Sequence, residues 1–276
     1  MKDYCLLLCL FFIGHLLYSQ ELTSSKIIGK QPFLLGEIVS LNSRTLNEDR
    51  ILNIYLPPSY STDTLRKFPV IYLLDGSADE DFIHTVGLVQ YGNFPWINML
   101  PECIVVGIAN VDRKRDFTFP TTIEKDKKDF PTTGGSANFI QFLDSELLPF
   151  VMENYRTNDT TTLIGQSLGG LLATEILFKK PEMFRNYIII SPSLWWDHES
   201  LLKQVPDLKS LGKSVFIGVG KKEPKPMERD AKKLYHALKS QQNGLKLYYK
   251  LFKKQGHGDI LHLALYDAFS RVFQVK

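Results

Sequence analysis

The stretch Thr162-Leu-Ile-Gly-Gln-Ser-Leu-Gly-Gly-Leu-Leu172 places Gly165-x-Ser167-x-Gly169 between an apolar strand and an apolar helix. A serine on so tight a strand-to-helix turn needs small neighbours, because the backbone is strained and packs closely there. The turn lifts the Ser167 hydroxyl to the mouth of the sheet. It also aims the Leu168 N–H and the helix N-terminus at negative charge developing nearby. Gly-x-Ser-x-Gly on its own recurs by chance; the strand before it and the helix after it make this copy informative. A serine hydroxyl is a poor nucleophile at its free pKa, so the motif requires a base, and an acid to orient that base.

Working outward, two early segments alternate in strand fashion, Gly36–Ser43 and Arg50–Leu56, and Pro57-Pro58 ends the second. Short continuous apolar runs follow: Val70–Leu74, Cys103–Ala109, Thr162–Ile164, Tyr187–Ile190, Val215–Val219 and Leu247–Leu251. Such runs suit strands covered on both faces of a mostly parallel sheet. Helical spacing appears between them, at Asn138–Asn154, Leu168–Lys179, Met227–Ser240 and Ile260–Val272, with Pro149 expected to kink the first. An antiparallel start followed by alternating strand and helix predicts one α/β three-layer sandwich around a mostly parallel central sheet. Asp112–Thr133 has little periodicity and reads as a long excursion over the sheet edge.

With the nucleophile on such an elbow, the expected chain order is Ser, then Asp or Glu, then His. His236 and His262 fall within helices, and His198 follows Trp195-Trp196-Asp197 as a pocket candidate. His257 lies in Gln255-Gly-His-Gly-Asp259, a loop after the last strand, where a base reaches back to the nucleophile. Glu223 stands on the turn after Val215–Val219 and is the chosen acid, with Asp197 in reserve. Glu228 and Asp230 sit in a helix start as ordinary dipole partners, and Asp259 is expected to cap the last helix. The second oxyanion donor should follow an early strand. Val70-Ile-Tyr-Leu-Leu-Asp-Gly-Ser77 supplies a strand and a Gly turn, so the N–H groups of Ser77 and Leu168 form the pair.

The chain has 276 residues, 44% hydrophobic, 23% charged and 12% aromatic, with a net charge of +3. That composition excludes a disordered tail, a collagen-like fibre and a polytopic membrane protein, and its charge is too even for a dedicated nucleic-acid binder. Lys2, the apolar run Cys5–Ile13 and small Ser19 have the layout of a secretory signal peptide over residues 1–19, with a single domain over 20–276. Cleavage there predicts an extracytoplasmic protein, periplasmic or secreted, without stable membrane insertion. Cys103 would be the one remaining thiol, so the domain rests on its own core rather than on a disulfide.

Taken together, Leu56-Pro-Pro-Ser-Tyr60, Pro69-Val-Ile-Tyr-Leu-Leu-Asp-Gly76, Val106-Gly-Ile-Ala-Asn110 with Arg113 and Arg115-Asp116, Gly165-Gln-Ser-Leu-Gly-Gly170 and Ile190-Ser-Pro-Ser-Leu-Trp-Trp-Asp197 resemble the putative-esterase family of α/β-hydrolases. The family includes siderophore esterases, S-formylglutathione hydrolase-like esterases, feruloyl esterases and mycolyltransferases. The His257 loop and Leu263-Ala-Leu-Tyr266 extend the likeness, and Ser-Pro-Ser-x-Trp-Trp resembles the siderophore-esterase branch most. The resemblance implies an α/β-hydrolase fold and a Ser–acid–His esterase, with the roles carried by Ser167, Glu223 and His257 and an oxyanion donor at Ser77. Gln166 departs from the family pattern, since many relatives have His before the serine.

These residues describe a serine carboxylic-ester hydrolase that uses no metal or cofactor and acts on a small-molecule ester, a siderophore ester among the candidates. The alternatives are an acetyl or feruloyl esterase acting on polysaccharide-linked acyl groups, an acyltransferase, and a non-catalytic ligand-binding member of the fold. Between Lys203 and Lys254 there are 14 Lys and Arg against 4 Asp and Glu, which reads either as a solvated basic face or as attraction for an anionic substrate. Trp195 and Trp196 either line an aromatic substrate slot, or one of them fills the core beneath the nucleophile.

Overall fold

The computed structural model describes residues 25–206, 212–240 and 244–273. The signal-like segment 1–19 lies outside the described residues. The chain divides into two units, Met1–Leu34 and Leu35–Lys276. Residues 25–34 of the first contain no helix or strand, and every element below belongs to the second.

All eight expected strands form: β1 (Glu37–Ser43), β2 (Glu48–Tyr55), β3 (Phe68–Leu73), β4 (Ile104–Ile108), β5 (Thr157–Gln166), β6 (Asn186–Ile190), β7 (Ser214–Gly220) and β8 (Lys246–Phe252). They make one sheet in the order β1-β2-β4-β3-β5-β6-β7-β8. β1 pairs antiparallel with β2, and β2 with β4, while the six strands from β4 to β8 run parallel. The principal helices are α1 (Phe82–Gly92), α2 (Arg113–Phe117), α3 (Ser136–Phe142), α4 (Leu148–Asn154), α5 (Leu168–Lys179), α6 (Lys225–Lys239) and α7 (Leu261–Val272).

The two faces of the sheet carry separate cores, as the period-2 alternation of strand side chains requires. On one face Val70, Tyr72 and Leu74 pack with Leu171, Leu172 and Ile176 of α5 and Leu234 of α6. On the other, Ile71 and Leu73 pack with Val86 and Val89 of α1 and Leu265 and Phe269 of α7. Cover on both sides explains why the central strands read as unbroken apolar runs. It is an α/β-hydrolase sandwich, with the antiparallel strands first in the chain.

Three segments depart from the sequence reading. β5 begins at Thr157 rather than Thr162: Thr157 pairs with Phe68 of β3, and the polar Asn158-Asp-Thr160 forms an irregularity before regular pairing resumes at Thr161 with Val70. The helix over 138–154 widens into a π turn at Leu143–Leu147, directly before Pro149, which has no N–H for the regular ladder. Residues 112–133 are not a featureless excursion. They include α2 and a helical turn at Glu124–Asp129, and Asp116 and Phe117 are buried. Fully buried Arg50 of β2 donates to Asp116 at 2.8 Å and to Glu48 at 2.8 Å, so an interior ion-pair network ties this segment to the sheet.

Candidate active site

At the end of β5 the backbone turns sharply through Ser167, at φ 60°, ψ −119°, and α5 begins at the next residue. The amide of Ser167 donates to the Ile190 carbonyl at 3.1 Å, and its carbonyl accepts from Ser193 N–H at 3.0 Å. Two glycines make the turn possible. A Cβ on Gly165 would overlap the Gly169 carbonyl oxygen, and one on Gly170 would meet the Ile190 carbonyl oxygen at 3.0 Å. Leu168, as the first residue of α5, carries one of the amides that a helix leaves without an intrahelical partner.

Beside the elbow, the loops after β7 and β8 run together, with Lys222 N–H donating to the Gln255 carbonyl at 3.0 Å. They bring Glu223 and His257 into contact, Oε2 to Nδ1, at 2.9 Å. The other carboxylate oxygen, Oε1, accepts from the Ser191 hydroxyl at 2.5 Å and the Gly220 amide at 2.6 Å. Burial alone would raise the pKa of Glu223. The bonds from His257, Ser191 and Gly220 outweigh it and hold the carboxyl below its ordinary value. Gln166 adds a second tie, its Nε2 donating to the His257 carbonyl at 2.6 Å. The imidazole is left about two-fifths exposed and the carboxylate it contacts is fully buried.

Ser167 and His257 line the same cleft, of about 450 Å³, but do not hydrogen-bond to each other. The Ser167 hydroxyl lies 3.4 Å from that of Ser193.

On the opposite side of the elbow, Asp75 follows β3 at φ 56°. Arg113 grips its carboxylate with two bonds, Nε to Oδ1 at 2.6 Å and an Nη to Oδ2 at 2.8 Å. Asn110 donates to it as well, at 2.7 Å, and Arg113 reaches the Gln166 carbonyl at 3.4 Å. Gly76 lies so close to Gly107 that a Cβ would overlap backbone atoms. Ser77 comes next, and its amide donates weakly to Glu80 Oε2 at 3.4 Å. Glu80, Asp81, Asp75 and Arg113 complete the cleft wall with Gln166 and Gly258. Burial, then the neighbouring charges of Asp75 and Glu80, push Asp81 up to about 6. The wall facing Ser167 from this side is therefore acidic, whereas the β7 and β8 loops carry exposed Lys222, Lys253 and Lys254.

Other candidates lie elsewhere. Asp197, the reserve acid, accepts from the Thr122 amide at 2.6 Å and the Thr122 hydroxyl at 2.7 Å, and its partners do not include His257. His198 and His236 are exposed, and His262 is on α7. Asp259 does not cap the last helix; it accepts from the Gly256 amide at 2.7 Å and tightens the His257 loop. Trp196 is corrected as a substrate contact: it is fully buried, packs edge-on against Phe130 and donates Nε1–H to the Phe119 carbonyl at 2.9 Å. It fills the core, and half-buried Trp195 packs against it without lining the cleft. The sequence reading missed Asp75, Glu80 and Asp81 as lining groups and Ser191 as a holder of Glu223. The signal for Asp75, Arg113 and Ser191 was their place in the segments that carry the family resemblance.

Among known proteins, the chain matches the family described as "Putative esterase" over residues 43–258. It is 29% identical to the ferri-bacillibactin esterase BesA of Bacillus subtilis over 248 residues, covering 82% of this chain and 85% of that protein. Among solved structures it is similar to an IroE-like serine hydrolase from Shewanella oneidensis, with TM-score 0.80 and 29% identity over 87% of this chain and 80% of that one. It also resembles the BES protein from Bacillus cereus, with TM-score 0.78 and 26% identity over 90% of this chain and 99% of that one. With a family match that spans well over half of its length, on an eight-stranded α/β-hydrolase sheet, this chain belongs to the putative-esterase family of ester hydrolases.

Proposed function

We propose that the protein is a serine carboxylic-ester hydrolase in which Ser167, His257 and Glu223 form the triad. The observation that carries this reading is the 2.9 Å pair between Glu223 and His257 Nδ1, beside a serine held at positive φ in the same cleft. With Nδ1–H given to the carboxylate, Nε2 is the free base. Ser167 Oγ adds to the ester carbonyl carbon as His257 Nε2 takes its proton. The tetrahedral oxyanion is met by the Leu168 and Ser77 amides, which requires Glu80 to give up its weak hold on Ser77 N–H. Collapse breaks the bond to the alcohol oxygen, which leaves with the proton from His257. Water, deprotonated by the same imidazole, then attacks the acyl-enzyme and releases the acid.

The substrate we infer is a siderophore ester. The supporting point is the 29% identity to a ferri-bacillibactin esterase across most of both chains. Lys222, Lys253 and Lys254 beside the His257 loop suit an anionic ligand on that side of the cleft. Export from the cytoplasm is proposed from residues 1–19 alone. Among the described residues no helix is long and apolar enough to cross a membrane.

The test is hydrolysis of p-nitrophenyl acetate and butyrate, and of ferri-bacillibactin, by wild type, Ser167→Ala and His257→Ala. Turnover of a p-nitrophenyl ester that both variants lose supports the triad. Turnover of ferri-bacillibactin supports the substrate class. A wild type inert toward every ester overturns the reading.

A further inference from the structure

Among the described residues only two serines adopt positive φ, Ser167 at 60° and Ser191 at 44°. Glycine enters that region without steric cost, whereas a residue with a side chain stays there only where its surroundings hold it. Ser167 stands at the elbow. Ser191 follows β6, is fully buried and is not among the residues that line the cleft.

The Ser191 hydroxyl has a single partner among the described residues, Oε1 of Glu223, to which it donates at 2.5 Å. A separation that short belongs to hydroxyl bonds with an ionised carboxylate. The Gly220 amide donates to the same oxygen at 2.6 Å, and Oε2 is left for His257 Nδ1 at 2.9 Å. The last torsion of a glutamate is broad and roughly twofold. The carboxylate therefore does not choose by itself which oxygen faces the imidazole, or at what tilt. Two donors on one oxygen make that choice for it.

Main chain fixes Ser191 from both sides. Its amide donates to the Gly218 carbonyl of β7 at 2.7 Å. One residue earlier the Ile190 carbonyl accepts from the Ser167 amide, and two residues later the Ser193 amide donates to the Ser167 carbonyl. Pro192, between them, lies so close to α5 that a Cβ on Gly170 would meet its Cα at 3.0 Å. Trp196 N–H bonds back to the Ser193 carbonyl at 3.1 Å, and its indole is moored in the core. The turn over 190–193 thus binds the elbow with its backbone and the acid with one side chain.

We propose that Ser191 is a positioning residue for ester hydrolysis: its hydroxyl fixes the plane of the Glu223 carboxylate, which in turn holds His257 with Nδ1 protonated and Nε2 free for Ser167. Ser191 acts through Glu223 and does not touch the substrate. This rests on the esterase reading above, and it accounts for a strained serine where glycine would fold more easily.

The test compares Ser191→Gly with Ser191→Ala, which remove the same hydroxyl but differ in backbone strain. Glycine relieves the positive φ and alanine keeps it, so Ser191→Gly should melt at the higher temperature. For p-nitrophenyl butyrate, kcat should fall about tenfold in both, with KM within about twofold of wild type. In a Glu223→Gln background Ser191→Gly should change kcat by less than about twofold, because the charge it acts on is already gone. Nitrogen-15 NMR of the His257 ring, without substrate, should show the Nδ1–H tautomer in wild type and a mixture of tautomers in both variants. A loss of kcat that follows melting temperature, larger in Ser191→Ala than in Ser191→Gly, overturns the proposal in favour of a purely structural side chain. So does a loss that adds in full to that of Glu223→Gln, or a ring spectrum that both variants leave unchanged. If wild type turns over no ester, the esterase reading falls, and the ring spectra alone decide whether Ser191 holds the carboxylate against His257.

Discussion

Ser167 and the run Asp197-His198-Glu199 both hold non-glycine residues at positive φ, and they are held there by different means. Each such residue costs on the order of 1–3 kcal/mol and persists only where its surroundings over-determine it. At Ser167 the surroundings are main chain: amide and carbonyl bonds to β6 and to Ser193, and glycine backbones pressed together at 165 and 169. The serine side chain has almost no part in holding the turn, so it is free to act. In the run 197–199 the side chains are the anchors. Asp197 is bound by Thr121 and Thr122, and Glu199 by Arg229 and Lys233. A turn supported by main chain leaves its side chain free, whereas one supported by side chains does not.

The sharpest way to break this contrast is Ser167→Ala. Ester turnover is expected to fall by about 10⁴ to 10⁶, with the melting temperature unchanged, measured by p-nitrophenyl ester hydrolysis and calorimetry on one preparation. A large loss of stability would show that the side chain does support the turn. Next in size is Glu223→Gln, with turnover down about 10³ to 10⁴, because the amide no longer favours the tautomer that leaves Nε2 free. The same residue has a pH consequence. Its carboxyl is held below the ordinary value of 4.5, so the stability it contributes is present above that pH. That contribution is lost as pH falls through the folded-state pKa. Acid unfolding of wild type should therefore begin at a higher pH than the Glu223→Gln variant's own acid limb, when the two are normalised to pH 7.

Gly165→Ala should cost about 1–3 kcal/mol by denaturant melts and should lower turnover as well, since the added methyl pushes the elbow away from α5. Asp197→Ala sharpens the comparison from the other side. The loss of its bonds to Thr122 should cost about 1–2 kcal/mol of stability while kcat/KM stays within about twofold of wild type. A fall in turnover as large as that of Glu223→Gln would mean that Asp197, not Glu223, orients the base. Smallest is Lys233→Met, where an exposed pair to Glu199 is removed and melting should barely move.

Ser167, Glu223 and His257 were legible because each follows a recognisable strand and the chain order is constrained. The acidic wall was not, because Asp75, Glu80 and Asp81 read as an ordinary Asp-Gly turn leading into a helix. Only the approach of Arg113 and Asn110, from a loop more than 30 residues on, gives that turn its charged partners. Trp195-Trp196 stood open between a substrate slot and the core, and the structure places Trp196 in the core. Adjacent aromatics near a nucleophile look like a slot, but the indole of Trp196 finds its hydrogen-bond acceptor at Phe119, 77 residues away, and is drawn into the core.

The α/β class, the positions of the strands and the sharp turn at Ser167 were all legible in the sequence. These are local matters, set by apolar periodicity and by the few residues a tight turn accepts. Tertiary contacts decided which tryptophan is buried, how Ser191 and Gly220 hold Glu223, and where the cleft is acidic. Each of those depends on contacts between residues far apart in the chain, and no local pattern encodes the distance between them once the sheet has closed.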